Sequence, residues 1–197
     1  MNSQTGSKKR NKITKYIWLI LAIALISVST ITHKYGPYKG QVVNKETGEP
    51  IEGAAVFLRF FTEYPSVGGG VSNFADAVET MTDANGEFEI SHREWRFRIL
   101  NYWDPYAPII IFKPGYGAYP RHPEVTPHFG LASSIPENEY VIIKLPKLKT
   151  MEERKDNLRY ADFYDKSEVP CEKQRHLLGF INSERKNFGF QPVGDCE

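Results

Sequence analysis

A succession of short β-forming runs, separated by turn residues, is the feature that most constrains how this chain can fold. Between residues 38 and 148 the runs are rich in Val, Ile, Phe and Leu, and Gly, Pro, Asn or Asp residues end them. No long helical pattern lies among these runs. Antiparallel packing of about six or seven short strands into a β-sandwich is the natural solution for such a chain.

The individual strands and loops can be assigned to residue ranges. Alternating apolar residues follow Asn85-Gly86, a pair that favours a β-hairpin because both residues tolerate positive φ. The glycine triplet within residues 67–73 predicts a flexible loop. The mixed periodicity of residues 53–61 indicates a strand buried on both faces. The predicted strands comprise residues 40–44, 53–61, 78–82, 87–91, 95–99, 109–112 and 141–145.

Several sequence blocks in this region together form a specific pattern. The blocks are Gly40-Gln41-Val42-Val43, Pro50-Ile51-Glu52-Gly53-Ala54-Ala55-Val56, Thr82-Asp83-Ala84-Asn85-Gly86-Glu87-Phe88, Lys113-Pro114-Gly115-Tyr116 and Val141-Ile142-Ile143-Lys144-Leu145. Over residues 38–148 the chain resembles the carboxypeptidase regulatory-like domain family. The resemblance implies a mainly β fold, a seven-stranded antiparallel transthyretin-like sandwich, which we assign to residues 37–149. It also implies an accessory or binding module, often extracytoplasmic and usually not catalytic.

The N-terminal segment predicts a membrane anchor. Residues 16–31 carry no charge, and five Lys and Arg residues precede them without any acid. A helix of about 16 residues spans roughly 24 Å, and Thr32 and His33 extend it towards the bilayer core thickness of about 30 Å. We therefore expect a basic cytoplasmic tail at residues 1–15 and a transmembrane signal-anchor at residues 16–33.

This topology places the body of the chain outside the cytoplasm. The family resemblance implies a bacterial cell envelope, where the body would lie in the periplasm if the cell is Gram-negative. The alternative is a signal peptide cleaved after small residues such as Ser27 and Ser29, which would give a secreted protein. The chain has 25 Lys and Arg and 24 Asp and Glu, so beyond the basic tail the acids exceed the bases by four. Such a body argues against a nucleic-acid partner, because phosphate binding needs a basic surface.

Residues 150–197 predict a helical C-terminal extension. Thr150 and Glu153 have the spacing of a capping box. A second helix is expected from near Pro170 to about Asn187, before Gly189. Both helices are too polar to stand alone, and we expect them to pack on the sandwich or on a partner.

Two cysteines, Cys171 and Cys196, are present. Outside the cytoplasm an even number of cysteines favours a disulfide. In the chain-entropy model, the bond would stabilise the fold by about 3 kcal/mol. The alternative is a pair of unpaired thiols.

The sequence contains none of the catalytic motifs that we considered. No histidine is followed by Glu at the third position, as a zinc carboxypeptidase needs, and the phosphate loop and nucleophile elbow are missing. We therefore predict no enzyme activity, no cofactor and no metal. The open alternative is a cryptic metal-dependent enzyme that uses His122, Glu124 and His128.

Large aromatic rings are concentrated in residues 95–119. They are Trp95, Tyr102, Trp103, Tyr106, Tyr116 and Tyr119. Such rings suit contact with a protein or stacking on a sugar, because they bury area with little loss of entropy. They equally suit an edge of the sandwich that the helices cover. The sequence thus predicts a non-catalytic interaction module with an envelope protein partner, and a carbohydrate-binding module is the alternative.

Overall fold

Two β-sheets and a set of C-terminal helices make up a mainly β protein. The computed structural model describes residues 14–23, 32–95, 102–104, 106–125, 134–161 and 169–194. Residues 14–23 form helix α1. The described strands are β1 (Thr32–Asn44), β2 (Ala55–Ser66), β3 (Gly69–Met81), β4 (Glu87–Trp95), β5 (Tyr102–Trp103), β6 (Ile109–Phe112) and β7 (Tyr140–Leu145). Helices α2 (Met151–Ala161) and α3 (Arg175–Asn187) follow, with a 3-10 turn at Cys171–Lys173 between them.

The chain divides into two units. The described residues within 1–34 and 93–99 belong to one unit, and the described residues within 35–92 and 100–197 belong to the other. In the first unit, the residues of α1 are exposed. No helix in the described ranges is long and apolar enough to cross a membrane. The predicted signal-anchor at residues 16–33 lies partly outside the described residues and stays a prediction.

The first sheet has the order β4-β1-β7. Its strands β1 and β7 pair in parallel, with Gly40 opposite Val141 and Asn44 opposite Leu145. The expectation of a wholly antiparallel sheet is therefore wrong for this pair. Parallel neighbours need a long crossover connection, and β1 and β7 have one because all the other described strands, β2 to β6, lie between them in the chain.

The second sheet is built around β2, which pairs with β3, β5 and β6 in antiparallel fashion. The β2–β3 hairpin turns at Val67-Gly68, and pairing begins at Ser66 opposite Gly69. The flexible loop predicted at residues 67–73 is thus mostly strand. The sequence signal failed because continuous pairing with β2 overrides the low strand propensity of glycine.

The turn at Asp83–Gly86 forms, but it does not close a hairpin. The Asp83 carboxylate accepts hydrogen bonds from the backbone N–H groups of Asn85 (2.9 Å) and Glu87 (2.8 Å). Strand β3 then belongs to the second sheet and β4 to the first. The buried Thr82 attaches the end of β3 to the chain before β2, because its hydroxyl donates to the Ile51 carbonyl and accepts from Ala54 N–H.

The first half of strand β2 is buried on both faces, as the mixed periodicity of residues 53–61 predicted. Val56, Leu58 and Phe60 lie in a core that also contains side chains from the first sheet. Ala55 and Phe57 lie in a second core, which the helices complete. The members from α2 and α3 in that second core are Leu158, Ala161, Leu177 and Ile181.

Three polar contacts fix the helices. The buried Asn157 amide of α2 donates to the Tyr116 carbonyl (2.9 Å) and accepts from Ala118 N–H (2.8 Å). Arg154 of α2 pairs through two nitrogens with the buried Glu184 of α3, which raises the pKa of Arg154. The predicted packing of the extension on the β structure is confirmed.

Glu79 of β3 supplies the third contact by capping α3 from outside the helix. Its carboxylate accepts from the N–H groups of His176 (2.8 Å) and Leu177 (2.7 Å), which lack partners within the first turn. Burial raises the pKa of Glu79, and these two hydrogen bonds oppose that effect. The predicted start near Pro170 corresponds to the 3-10 turn, and α3 itself begins at Arg175.

Gly86 provides a direct test of the turn. Its φ is +72°, and a Cβ there would lie 2.5 Å from the Val42 carbonyl oxygen. Gly48 has a similar φ of +74°, but a Cβ there would meet nothing within 4 Å. We expect Gly86→Ala to lower the free energy of unfolding by about 2–4 kcal/mol, and Gly48→Ala by about 1 kcal/mol. Denaturant unfolding followed by tryptophan fluorescence measures both, and equal losses would contradict the assigned contact.

Candidate functional site

The six predicted aromatic residues do not form one exposed platform. Tyr119 lies in the core between the sheets, where burial raises its pKa to about 12. Trp103 and Tyr116 pack against that core. Tyr102 and Tyr106 are the exposed members, with 51% and 57% of their surface accessible. The side chain of Trp95 lies outside the described residues.

The exposed tyrosines belong to a segment that runs beside the outer half of β2. Tyr102 lies opposite Glu63 in the β2–β5 pairing, and its hydroxyl donates to the Glu63 carboxylate (2.7 Å). This hydrogen bond raises the pKa of Tyr102. Asp104 N–H donates to the Phe61 carbonyl (3.0 Å), and the Asp104 carboxylate accepts from Tyr106 N–H (2.8 Å). The segment is therefore held to the hairpin by its backbone.

The distal end of the β2–β3 hairpin adds further apolar side chains to this region. Val67 is fully exposed at the turn. Val71 is exposed and lies opposite Tyr64 in the pairing of β2 with β3. We call the five residues Tyr64, Val67, Val71, Tyr102 and Tyr106 the hairpin surface. It includes both faces of the hairpin, because neighbouring residues of a strand point to opposite faces: Tyr64 and Val71 pair on one face, whereas Tyr102 pairs with Glu63 on the other. Sequence reasoning missed its β2–β3 members because the glycine triplet indicated a loop.

Beyond the hairpin surface, a charged cluster joins both sheets to the C-terminal extension. His92 Nε2 of β4 lies 3.1 Å from an Asp76 carboxylate oxygen of β3. The other oxygen of Asp76 forms an ion pair with Lys173 of the 3-10 turn. The His92 ring also stacks on Phe60, with centroids 4.8 Å apart. One carboxylate that contacts side chains from two different elements stabilises their packing.

The predicted alternative metal site is not assembled by the described residues. His122 Nδ1 accepts a hydrogen bond from Glu124 N–H (3.2 Å), and burial lowers the pKa of His122. The Glu124 carboxylate pairs with Lys45 at 3.3 Å. His128 lies outside the described ranges, and within them no group of three or more His, Cys, Asp or Glu residues could hold a metal ion.

The predicted disulfide has one described partner. Cys171 begins the 3-10 turn, whereas Cys196 lies outside the described residues. The described chain before Cys196 runs back along α3. Val193 N–H donates to the Asn182 side chain (2.8 Å), and the Asn182 amide donates to the Gly194 carbonyl (3.0 Å). The disulfide stays a prediction.

Comparison with protein-family models, curated proteins and solved structures gave no significant match. The resemblance to the carboxypeptidase regulatory-like family therefore rests on the sequence blocks alone.

The contacts of Asp76 indicate that this residue attaches the 3-10 turn to strand β3. Asp76→Asn removes the charge that His92 and Lys173 share in a half-buried position, and we expect a loss of about 1–3 kcal/mol in unfolding free energy. Asp156→Asn is the matched control. It removes a carboxylate from an exposed contact of 3.9 Å with Arg159, which should change stability by less than about 1 kcal/mol.

Hydrogen exchange adds a local readout of the Asp76 variant. Amides of the 3-10 turn and the first turn of α3 should exchange faster in Asp76→Asn than in Asp156→Asn. Equal exchange in the two variants would show that the cluster does not hold the turn.

Proposed function

We propose that this protein is a non-catalytic interaction module of the bacterial cell envelope, whose hairpin surface binds a partner protein. Its body would be a seven-stranded, transthyretin-like sandwich of the carboxypeptidase regulatory-like type. The observation that carries the proposal is the exposure of the outer half of the β2–β3 hairpin. Residues 65–72 form strand or turn, and all of them are exposed. They lie beyond the part of β2, Ala55–Leu58, that is buried in the cores.

The edge position of β3 supports a protein partner. Among the described strands, β3 has β2 as its neighbour and forms one edge of its sheet. An exposed edge presents backbone groups that a strand of another chain can pair with, and neighbouring side chains then give specificity. Val71 and Tyr64 would supply such contacts beside residues 69–73.

The same geometry favours a protein over a glycan. Sugar stacking needs several exposed rings, and the described part of the aromatic set leaves only Tyr102 and Tyr106 exposed. The hydroxyl of Tyr102 is already engaged by Glu63. The aliphatic Val67 and Val71 are better suited to the apolar centre of a protein interface.

Location at the membrane rests on the N-terminal sequence. The uncharged residues 16–31, with five bases before them, support a single-pass anchor with the N-terminus in the cytoplasm. The hairpin surface would then face the extracytoplasmic space. A secreted form, produced by cleavage near Ser27 and Ser29, would present the same surface without the anchor.

Site-specific photo-crosslinking in native membranes tests the proposal. A photoreactive residue at Val67 or Val71 of the full chain should give an adduct of defined mass in carbonate-washed membranes. The matched control is Ile142 of β7, an apolar residue that is half-exposed on the other sheet. An adduct at twice the 22.6 kDa chain mass would identify a second copy as the partner.

Substitution then separates binding from chance proximity. Val71→Asp should lower the adduct yield from position 67 by about tenfold, because a charge would be buried in the interface. Adducts of equal yield from positions 67 and 142, or none from position 67, would refute the hairpin surface as the binding site.

The disulfide is a further part of the proposal. Gly194 lies beside the middle of α3 through Asn182, and Cys171 begins the 3-10 turn that precedes this helix. Non-reducing peptide mapping of protein from the envelope should give one Cys171–Cys196 cross-linked peptide. Alkylation of both cysteines before reduction would contradict the bond.

A further inference from the structure

One face of the outer β2–β3 hairpin carries negative charge. Tyr102 of β5 lies opposite Glu63 of β2, and paired residues share a face of the sheet. Asp104 continues this pairing two residues later, because its N–H donates to the Phe61 carbonyl (3.0 Å), and alternate residues share a face. We call Glu63, Tyr102 and Asp104 the acidic face. Burial raises the pKa of Asp104, and the negative charge of Glu63 raises it further, so the two carboxylates repel each other.

The described part of the chain does not neutralise the acidic face. Residues 60–92 contain six Asp and Glu residues and no Lys or Arg. Arg59, which precedes them, lies over the Phe61 ring at 5.3 Å from the centroid. Within the described ranges, neither Glu63 nor Asp104 forms an ion pair with a basic side chain. The donors to their carboxylates are a phenol hydroxyl and a backbone N–H, which are neutral and leave both charges in place.

Gly70 leaves open a path from the edge of β3 to the Glu63 carboxylate. In the pairing of β2 with β3, Ser72 lies opposite Glu63, and Gly70 lies two residues before Ser72 on the same face. A Cβ at Gly70 would lie 3.4 Å from Glu63 Oε2 and 3.7 Å from the Tyr102 hydroxyl. That hydroxyl donates to Oε2, and no described hydrogen bond involves Oε1. A side chain that crosses Gly70 would therefore meet a carboxylate with an oxygen available and the tip of an aromatic ring.

The geometry of this path selects a long cationic side chain. A strand added to the edge of β3 would lie about 4.8 Å from β3 and about twice that distance from β2. Only a long side chain can extend from there across Gly70 to the Glu63 carboxylate. The guanidinium of arginine has the necessary reach, pairs with a carboxylate through a planar fork and stacks on aromatic rings. Tyr102 offers such a ring, with 51% of its surface exposed.

On the basis of the function proposed for the hairpin surface, we propose that its partner contributes an extended, arginine-bearing segment. The backbone of this segment pairs with the edge of β3 at residues 69–73, and a guanidinium binds Glu63 and contacts the Tyr102 ring. On the opposite face of the hairpin, Val71 pairs with Tyr64. A strand alternates its side chains between faces, so the segment alternates arginine with apolar residues.

Fluorescence anisotropy of labelled peptides with the full chain in a neutral detergent tests the partner chemistry. The arginine probe is the capped peptide Thr-Arg-Val-Arg-Val-Arg-Thr. The citrulline probe replaces each arginine by its neutral isostere. The methylated probe is the arginine probe with N-methyl groups on its five central residues, which removes backbone donors but keeps the charge. The arginine probe should bind at least about tenfold more tightly than either of the other two.

Variants of the acidic face provide a second readout. Glu63→Gln should weaken binding of the arginine probe by about five- to tenfold and leave the citrulline probe unchanged. Glu89→Gln is the matched control, because it removes the same charge from an exposed position of β4 in the other sheet. It should change the affinity for the arginine probe by less than about twofold. Gly70→Val should also weaken the arginine probe, because its side chain fills the path to Glu63 without any change of charge.

Three outcomes would overturn the inference. They are equal binding of the arginine and citrulline probes, equal binding of the arginine and methylated probes, and equal losses in Glu63→Gln and Glu89→Gln, which would indicate a diffuse effect of net charge. Far-ultraviolet circular dichroism of each variant ensures that folded proteins are compared.

Failure of this inference can be told apart from failure of the proposed function. If the photoreactive residue at Val67 gives its adduct in membranes but the arginine probe binds no better than the citrulline probe, the hairpin surface keeps its role and the arginine-bearing partner is refuted. If Val67 gives no adduct, the proposed function itself is refuted.

Discussion

Burial of the first half of β2 on both faces is the constraint on which the rest of the described structure depends. Val56, Leu58 and Phe60 enter the core between the sheets, and Ala55 and Phe57 enter the core beneath the helices. Burial of a side chain such as Leu or Phe stabilises a fold by about 1.5–3 kcal/mol. A two-sheet structure alone would leave one face of β2 and β6 in water, so the C-terminal helices complete the fold.

Polar contacts determine the positions of α2 and α3 on the β structure. Glu79 satisfies two amides at the start of α3, and Asn157 satisfies a backbone donor and a backbone acceptor near Ala118. A buried polar group without a hydrogen-bond partner lowers stability. These hydrogen bonds therefore restrict the position of each helix more narrowly than apolar packing does.

The surface proposed for binding lies at the outer half of the β2–β3 hairpin. It combines aliphatic and aromatic side chains with a strand edge, which suits a polypeptide.

The sequence by itself determined the features that depend on near neighbours. The capping box of Thr150 and Glu153 forms as its spacing predicted, with Glu153 N–H donating to the Thr150 hydroxyl and Thr150 N–H to the Glu153 carboxylate. The sequence also predicted three other local features. They are the turn at Asp83–Gly86, the end of α3 before Gly189 and the burial of the first half of β2 on both faces. Each follows from backbone preferences or periodicity within a few residues.

Only the tertiary structure decided which strands are neighbours and which rings are buried. The parallel pairing of β1 with β7, the separation of β3 from β4, and the burial of Tyr119 all join residues far apart in the chain. Such contacts depend on how complete elements pack, and no local pattern encodes that packing.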